Sequence, residues 1–108
     1  MLHMDHTAET KKYVPAADAK VIAAIVKHLG IAMKGDDSQL VACSSKDELA
    51  RVRESWCRKK LKLEGDDAAL DKSIQEICTK MKADHSKSRV AFYYLLAEKH
   101  GKLAALAG

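Results

Sequence analysis

Apolar residues recur along this chain at helical spacing, not in strict alternation. Val21, Ile22, Ile25, Val26 and Leu29 follow an i, i+1, i+4, i+5, i+8 pattern, which predicts a helix from about Pro15 to Leu29. Pro15 suits its first turn, Asp18 adds negative charge near its start, and Gly30 suits the left-handed position that ends it. Over 46–63, Leu49, Val52, Trp56 and Leu63 share one face, with Cys57 alongside. Ser45 and Glu48 form an S-x-x-E capping box at its start. Leu70, Ile74, Ile77 and Met81 make a third stripe, predicting a helix from Asp66 or Asp67 to about Ala83. Arg89 to His100 is the fourth, capped by Ser86 or Ser88 and ended by Gly101. Its stretch Val90–Ala97 is apolar all round the wheel, so this helix is predicted to be central and buried on several sides. "KLAALAG" adds a last turn, and "SQLVAC" over 38–43 reads as one or two helical turns after the turn at Gly35, Asp36 and Asp37. Residues 1–12 are polar and weakly periodic, and they are expected to form a flexible arm or a short frayed helix before a single domain over 13–108. The second Met, at position 4, offers an alternative start. The fold class is therefore all-α: a small single-domain helical bundle of about four main helices around an apolar C-terminal helix.

Composition strengthens this reading. The 108 residues suit one core, and 47% hydrophobic with 31% charged is neither disordered nor membrane-like. Asn is absent, so the Asn-Gly hairpin turn and N-glycosylation are both excluded. The longest apolar run, Val90–Ala97, is too short to span a bilayer. No signal-peptide pattern opens the chain, and "KDEL" at Lys46–Leu49 is internal and unreadable as a retention signal. A cytoplasmic protein, not associated with a membrane, is expected. Cys43, Cys57 and Cys78 are odd in number and widely spaced, so they are expected to stay reduced, as small buried hydrophobes.

Charge singles out one segment. Residues 46–63 carry seven basic and three acidic side chains, an excess equal to the net +4 of the whole chain. On an α-helix Arg51, Arg58 and Lys62 fall at i, i+7 and i+11, opposite Leu49 and Trp56, as a ridge that could follow a phosphate backbone. The plainer reading is a solvated face, with Glu54 and Arg58 as an i, i+4 pair and with Arg53 and Lys60 lying along the apolar stripe. No glycine-containing helix-turn-helix joint or aromatic-rich sheet motif accompanies the ridge.

No catalytic constellation stands out. Gly30 and Gly35 have P-loop spacing, but Asp36 and Asp37 replace the Lys and Ser/Thr and would repel phosphate. Asp66 and Asp67 read as helix capping. His3 and His6 with Asp5 could hold a transition metal weakly, and no HExxH is present. His28 and His100 sit near helix C-termini, where a cationic ring favours the dipole. Phe92, Tyr93 and Tyr94 cover several faces of their helix, so at least one ring is expected near the surface, as a shallow pocket or dimer patch.

Three stretches together carry a resemblance: "VKHLGIA" at Val26–Ala32, "ELARVRESWCRKKL" at Glu48–Leu61 and "RVAFYYLLAEKHGKL" at Arg89–Leu103. The chain resembles the small, mainly bacterial proteins grouped as domain of unknown function 2853, over roughly Tyr13 to Leu103. The segment Phe92–Lys102 is the most specific part. His100 stands where many members have an aromatic residue, and the tail after Leu103 is particular to this chain. The resemblance implies a compact helical module and brings no activity, cofactor or catalytic residues. The expectation is a non-catalytic binding or protein-interaction module without a cofactor. Its partner is an unknown protein or a second copy in a homodimer. The alternative is nucleic-acid binding through Arg51, Arg58 and Lys62.

Overall fold

The computed structural model describes residues 6–29, 40–84 and 87–107. Among them the chain is all-α. Its helices are α1 His6–Tyr13, α2 Ala19–Leu29, α3 Lys46–Arg51, α4 Asp67–Lys80, α5 Arg89–Lys99 and α6 Leu103–Ala107, with a π-helix over Val52–Lys60 that continues α3.

Of the two expectations for the start of the chain, a flexible arm or a short helix, the described residues from His6 onward form the helix. Residues 6–12 belong to α1, which packs on α5 and buries Thr10 completely. Tyr13 donates its hydroxyl to Asp84, and Lys12 Nζ reaches the other oxygen of that carboxylate at 2.9 Å. α2 begins at Ala19 instead of Pro15, because Asp18 caps it. The Asp18 carboxylate accepts from Lys20 N at 2.8 Å, while its carbonyl accepts from Ile22 N at 3.0 Å. The buried stripe of α2 is Val21, Ile22, Ile25 and Leu29; Val26 is 39% exposed and lies outside it.

Gly30, Gly35, Asp36 and Asp37 lie outside the described residues. The helical turns expected over 38–43 do not form at residues 40–43. Leu40 instead pairs antiparallel with Ser88, and Val41 N donates to Lys87 O at 2.9 Å. These backbone groups find partners across the fold, so no local i→i−4 bond is needed.

α3 is capped as its sequence predicts, with Ser45 Oγ accepting from Glu48 N at 3.2 Å. The reciprocal half of the box is not made. The Glu48 carboxylate pairs with Arg89 and Arg51 instead. Beyond Arg51 the helix widens. Leu61 N donates to Trp56 O, five residues back, at 2.8 Å. Residues five apart, which an α-helix would set about 140° apart, then share a face. Val52 with Cys57, and Trp56 with Leu61, form two such pairs, and all four are buried. Arg53 and Arg58 form the third, turned toward α4. Lys62, at φ 55°, takes the left-handed conformation that ends the segment.

α4 and α5 match their sequence signals. Asp66 caps α4 through Ala69 N at 2.8 Å, and Ser88 caps α5 through Ala91 N at 3.2 Å. Gly101, at φ 68°, ends α5. Arg89 to Ala97 are all buried, and α1, α2, α4 and α6 pack against α5, which makes it the central helix. Trp56 joins this core by stacking on Tyr93, with centroids 4.5 Å apart, and by donating Nε1 to Tyr93 O at 3.1 Å.

Candidate functional site: a cleft between antiparallel helices

The α3–π segment and α4 run antiparallel, as their cross-links show. Arg58 meets Asp67 near one end, Arg53 meets Asp71 further along, and Cys43, just before α3, is disulfide-bonded to Cys78 near the far end of α4. Between these ties the helices leave a cleft of about 460 Å³. Lys46, Asp47, Leu49, Ala50 and Arg53 form one wall, and Asp71, Ile74 and Gln75 form the other. Half-buried Leu49 and Ala50 supply the accessible apolar lining, with the fully buried Ile74 behind them, and the polar residues contribute equal positive and negative charge. The volume lies within the range of small-molecule sites.

Arg53 organises the mouth. Its Nη1 donates to both oxygens of Asp71 at 3.0 and 3.1 Å, and its Nε donates to Glu54 at 2.8 Å. Asp67 lies 3.6 Å from the same Nε. Glu54 and Asp71, through these hydrogen bonds, raise the pKa of Arg53. Arg58 bonds to Asp67 and sits 3.3 Å from Glu54, which raises its own pKa and lowers that of Asp67.

The sequence-derived ridge is rearranged. The π turn breaks the i, i+7, i+11 geometry that would align Arg51, Arg58 and Lys62. Arg51 is exposed, 3.6 Å from Glu48; Arg58 is engaged by α4; and Lys62 has left the helix. The aromatic patch is also corrected. Phe92, Tyr93 and Tyr94 are 0%, 3% and 2% exposed, so none of their rings reaches the surface. Tyr93 Oη accepts from Arg89 Nη1 at 3.2 Å, and Tyr94 Oη accepts from Asp18 N at 2.9 Å. α5 is surrounded by four helices, so its apolar face is used within the chain. Among the described residues, Val26 is the exposed large hydrophobic.

The cysteines are not all reduced thiols as expected. Cys43 and Cys78 are joined, with Cα atoms 6.0 Å apart, and Cys57 is the free one. A spacing of 35 residues gave no sign of this pairing, which joins the turn before α3 to the last turn of α4. Burial pushes the Cys57 thiol up to about 11.

The histidines also differ from the helix-dipole reading. Burial lowers the pKa of His28, whose ring lies 5.3 Å from Trp56, with Lys60 adding to the effect. Burial likewise lowers that of His100, whose Nε2 is buried without a hydrogen-bond partner among the described residues. His3, Asp5, His85 and the His6 side chain lie outside the described residues. Among those described, no three His, Cys, Asp or Glu residues are grouped to hold a metal ion. No described helix is long and apolar enough to cross a membrane.

The fold and cleft define a small all-α domain. The chain belongs to the family described as protein of unknown function (DUF2853), whose profile matches residues 5–104. A comparison with curated proteins found no match.

Sequence reasoning placed Arg53 along an apolar stripe and missed that it borders a cleft. The available signal was the five-residue repeat of Arg53 and Arg58 beside the buried pairs 52/57 and 56/61.

Proposed function

We propose that this domain is a non-catalytic binding module whose site is the cleft between the α3–π segment and α4. The observation that carries this reading is an apolar lining bordered by balanced charge. Such a site favours a small amphipathic group: a hydrocarbon portion against Leu49 and Ala50, with a polar or charged end at Lys46 or Gln75. The polar lining is arranged to hold. Arg53 and Asp71 satisfy each other, and no lining side chain forms a nucleophile–base pair.

Anilinonaphthalene sulfonate, an apolar ring system with one anionic group, tests this directly by fluorescence titration. Saturable binding at one site, abolished by Ala50→Trp filling the cleft, supports the reading. Equal binding by wild type and Ala50→Trp overturns it.

A second reading, nucleic-acid binding, has one supporting observation: Lys59, Lys60 and Lys62 are exposed together at the end of the π-helix. Anisotropy of labelled random duplex DNA and RNA at several salt concentrations checks it. Micromolar binding lost in Lys59→Glu/Lys60→Glu favours this alternative.

A further inference from the structure

We propose that the Cys43–Cys78 disulfide is a redox-operated clasp that sets how far the cleft can open. This rests on the cleft being the binding site. Cys43 lies three residues before Lys46, the first residue of one wall, and Cys78 lies one turn beyond Ile74 on the other. The disulfide therefore ties the two walls together just beyond one end of the lining, while Arg53–Asp71 ties them at the other.

The wall that would move is α3, none of whose residues is buried. Apart from the disulfide, it is held by the Glu48–Arg89 pair, by the partial burial of Leu49 and, at its C-terminal end, by its continuation into the π-helix. α4 by contrast buries Leu70, Ser73, Ile74, Ile77 and Cys78. Opening the disulfide thus frees α3 first and leaves α4 in the core.

Access favours attack at one sulfur. Cys43 is half-buried, whereas Cys78 is 8% exposed. A thiolate of a dithiol reductant attacks Cys43 Sγ, the Cys43–Cys78 bond breaks, and Cys78 leaves as a thiolate that takes a proton. The reductant's second thiolate then displaces Cys43, which is protonated in turn. Two electrons and two protons have moved, and the reductant has closed as its own disulfide. Cys57 takes no part: it is fully buried and un-ionised at neutral pH.

The test uses the full chain, oxidised and after reduction by dithiothreitol, with thiols counted to confirm each state. Backbone hydrogen exchange is followed together with anilinonaphthalene sulfonate titration. Reduction is expected to raise exchange in α3 by about tenfold or more beyond the rise in α5 that follows from the lower global stability. Probe affinity is expected to change by about fivefold or more. Selective loosening of α3 without probe binding in either state upholds the clasp and defeats the binding reading. Unchanged α3 exchange overturns the clasp. So does an equal loss of protection in α3 and α5, since the disulfide would then act only as a staple of the whole fold.

Discussion

Arg53 on the π-helix holds both carboxylate oxygens of Asp71 on α4, at 3.0 and 3.1 Å, across the mouth of the cleft. The contact depends on the widened winding of residues 52–60. That winding sends Arg53 and Arg58 to the same side while burying Val52, Trp56, Cys57 and Leu61 on another. The apolar core and the charged mouth are therefore consequences of one local geometry. π-helical turns recur at functional sites, where they re-aim side chains in this manner.

The Arg89–Glu48 pair joins the central helix to the cleft wall. Its side chains are 8% and 13% exposed, and Arg89 Nη2 also donates to Leu40 O at 3.0 Å. Arg89→Ala strands these acceptors and is expected to cost about 3 kcal/mol in urea denaturation. Arg89→Met with Glu48→Leu together is expected to cost clearly less than the single change, because no buried charge is then left alone.

Trp56, the one tryptophan, reports on His28 beside it. The pKa of His28 is lowered in the folded protein, so the unfolded chain takes the proton first. Stability is then level above about pH 6.5 and falls as the pH drops below it. His100 shifts the same way and adds to the slope. A thermal-melt series from pH 8 to 5 should show this fall, shallower in His28→Gln, with Trp56 fluorescence quenched as the imidazolium forms.

Tyr13 and Asp84 give an alkaline counterpart. Burial and the adjacent Asp84 carboxylate push the Tyr13 phenol up to about 12, from 10.0. Its contribution is complete below pH 10 and is lost as the pH rises from about 10 to about 12. Denaturation midpoints across that window should drop in wild type and drop less in Tyr13→Phe.

Lys62 is a backbone problem before it is a charge. At φ 55° it sits where a side chain is strained, and Lys62→Gly is expected to stabilise the fold by roughly 1 kcal/mol. A lower urea midpoint for Lys62→Gly would assign the Lys62 side chain a contact that outweighs the strain.

The long periodic elements were legible in the sequence. Ile74, Ile77 and Met81 marked α4 with its cap at Asp66, and the all-round apolar run of α5 announced a central helix. The π-helix was hidden because Val52, Trp56 and Cys57 fit an α-helical stripe nearly as well. Only Leu61 and the Arg53/Arg58 repeat separate the two windings. Residues 40–43 were misread because their partners at 87 and 88 are distant in the chain. The disulfide and the cleft were invisible for the same reason: both belong to the meeting of two helices and to neither alone.

The disulfide encloses 35 residues of sequence separation, so Cys43→Ser with Cys78→Ser is expected to lower unfolding free energy by about 4 kcal/mol. Calorimetry of the double variant checks this, with a cooperative but lower transition expected.

The central claim is tested most directly by proton–nitrogen NMR of the oxidised full chain, titrated with anilinonaphthalene sulfonate. The account predicts saturable shifts centred on the amides of Leu49, Ala50, Ile74 and Gln75, with Arg58, Lys60 and Lys62 unmoved. Shifts centred on any other surface, with those four amides silent, would contradict it.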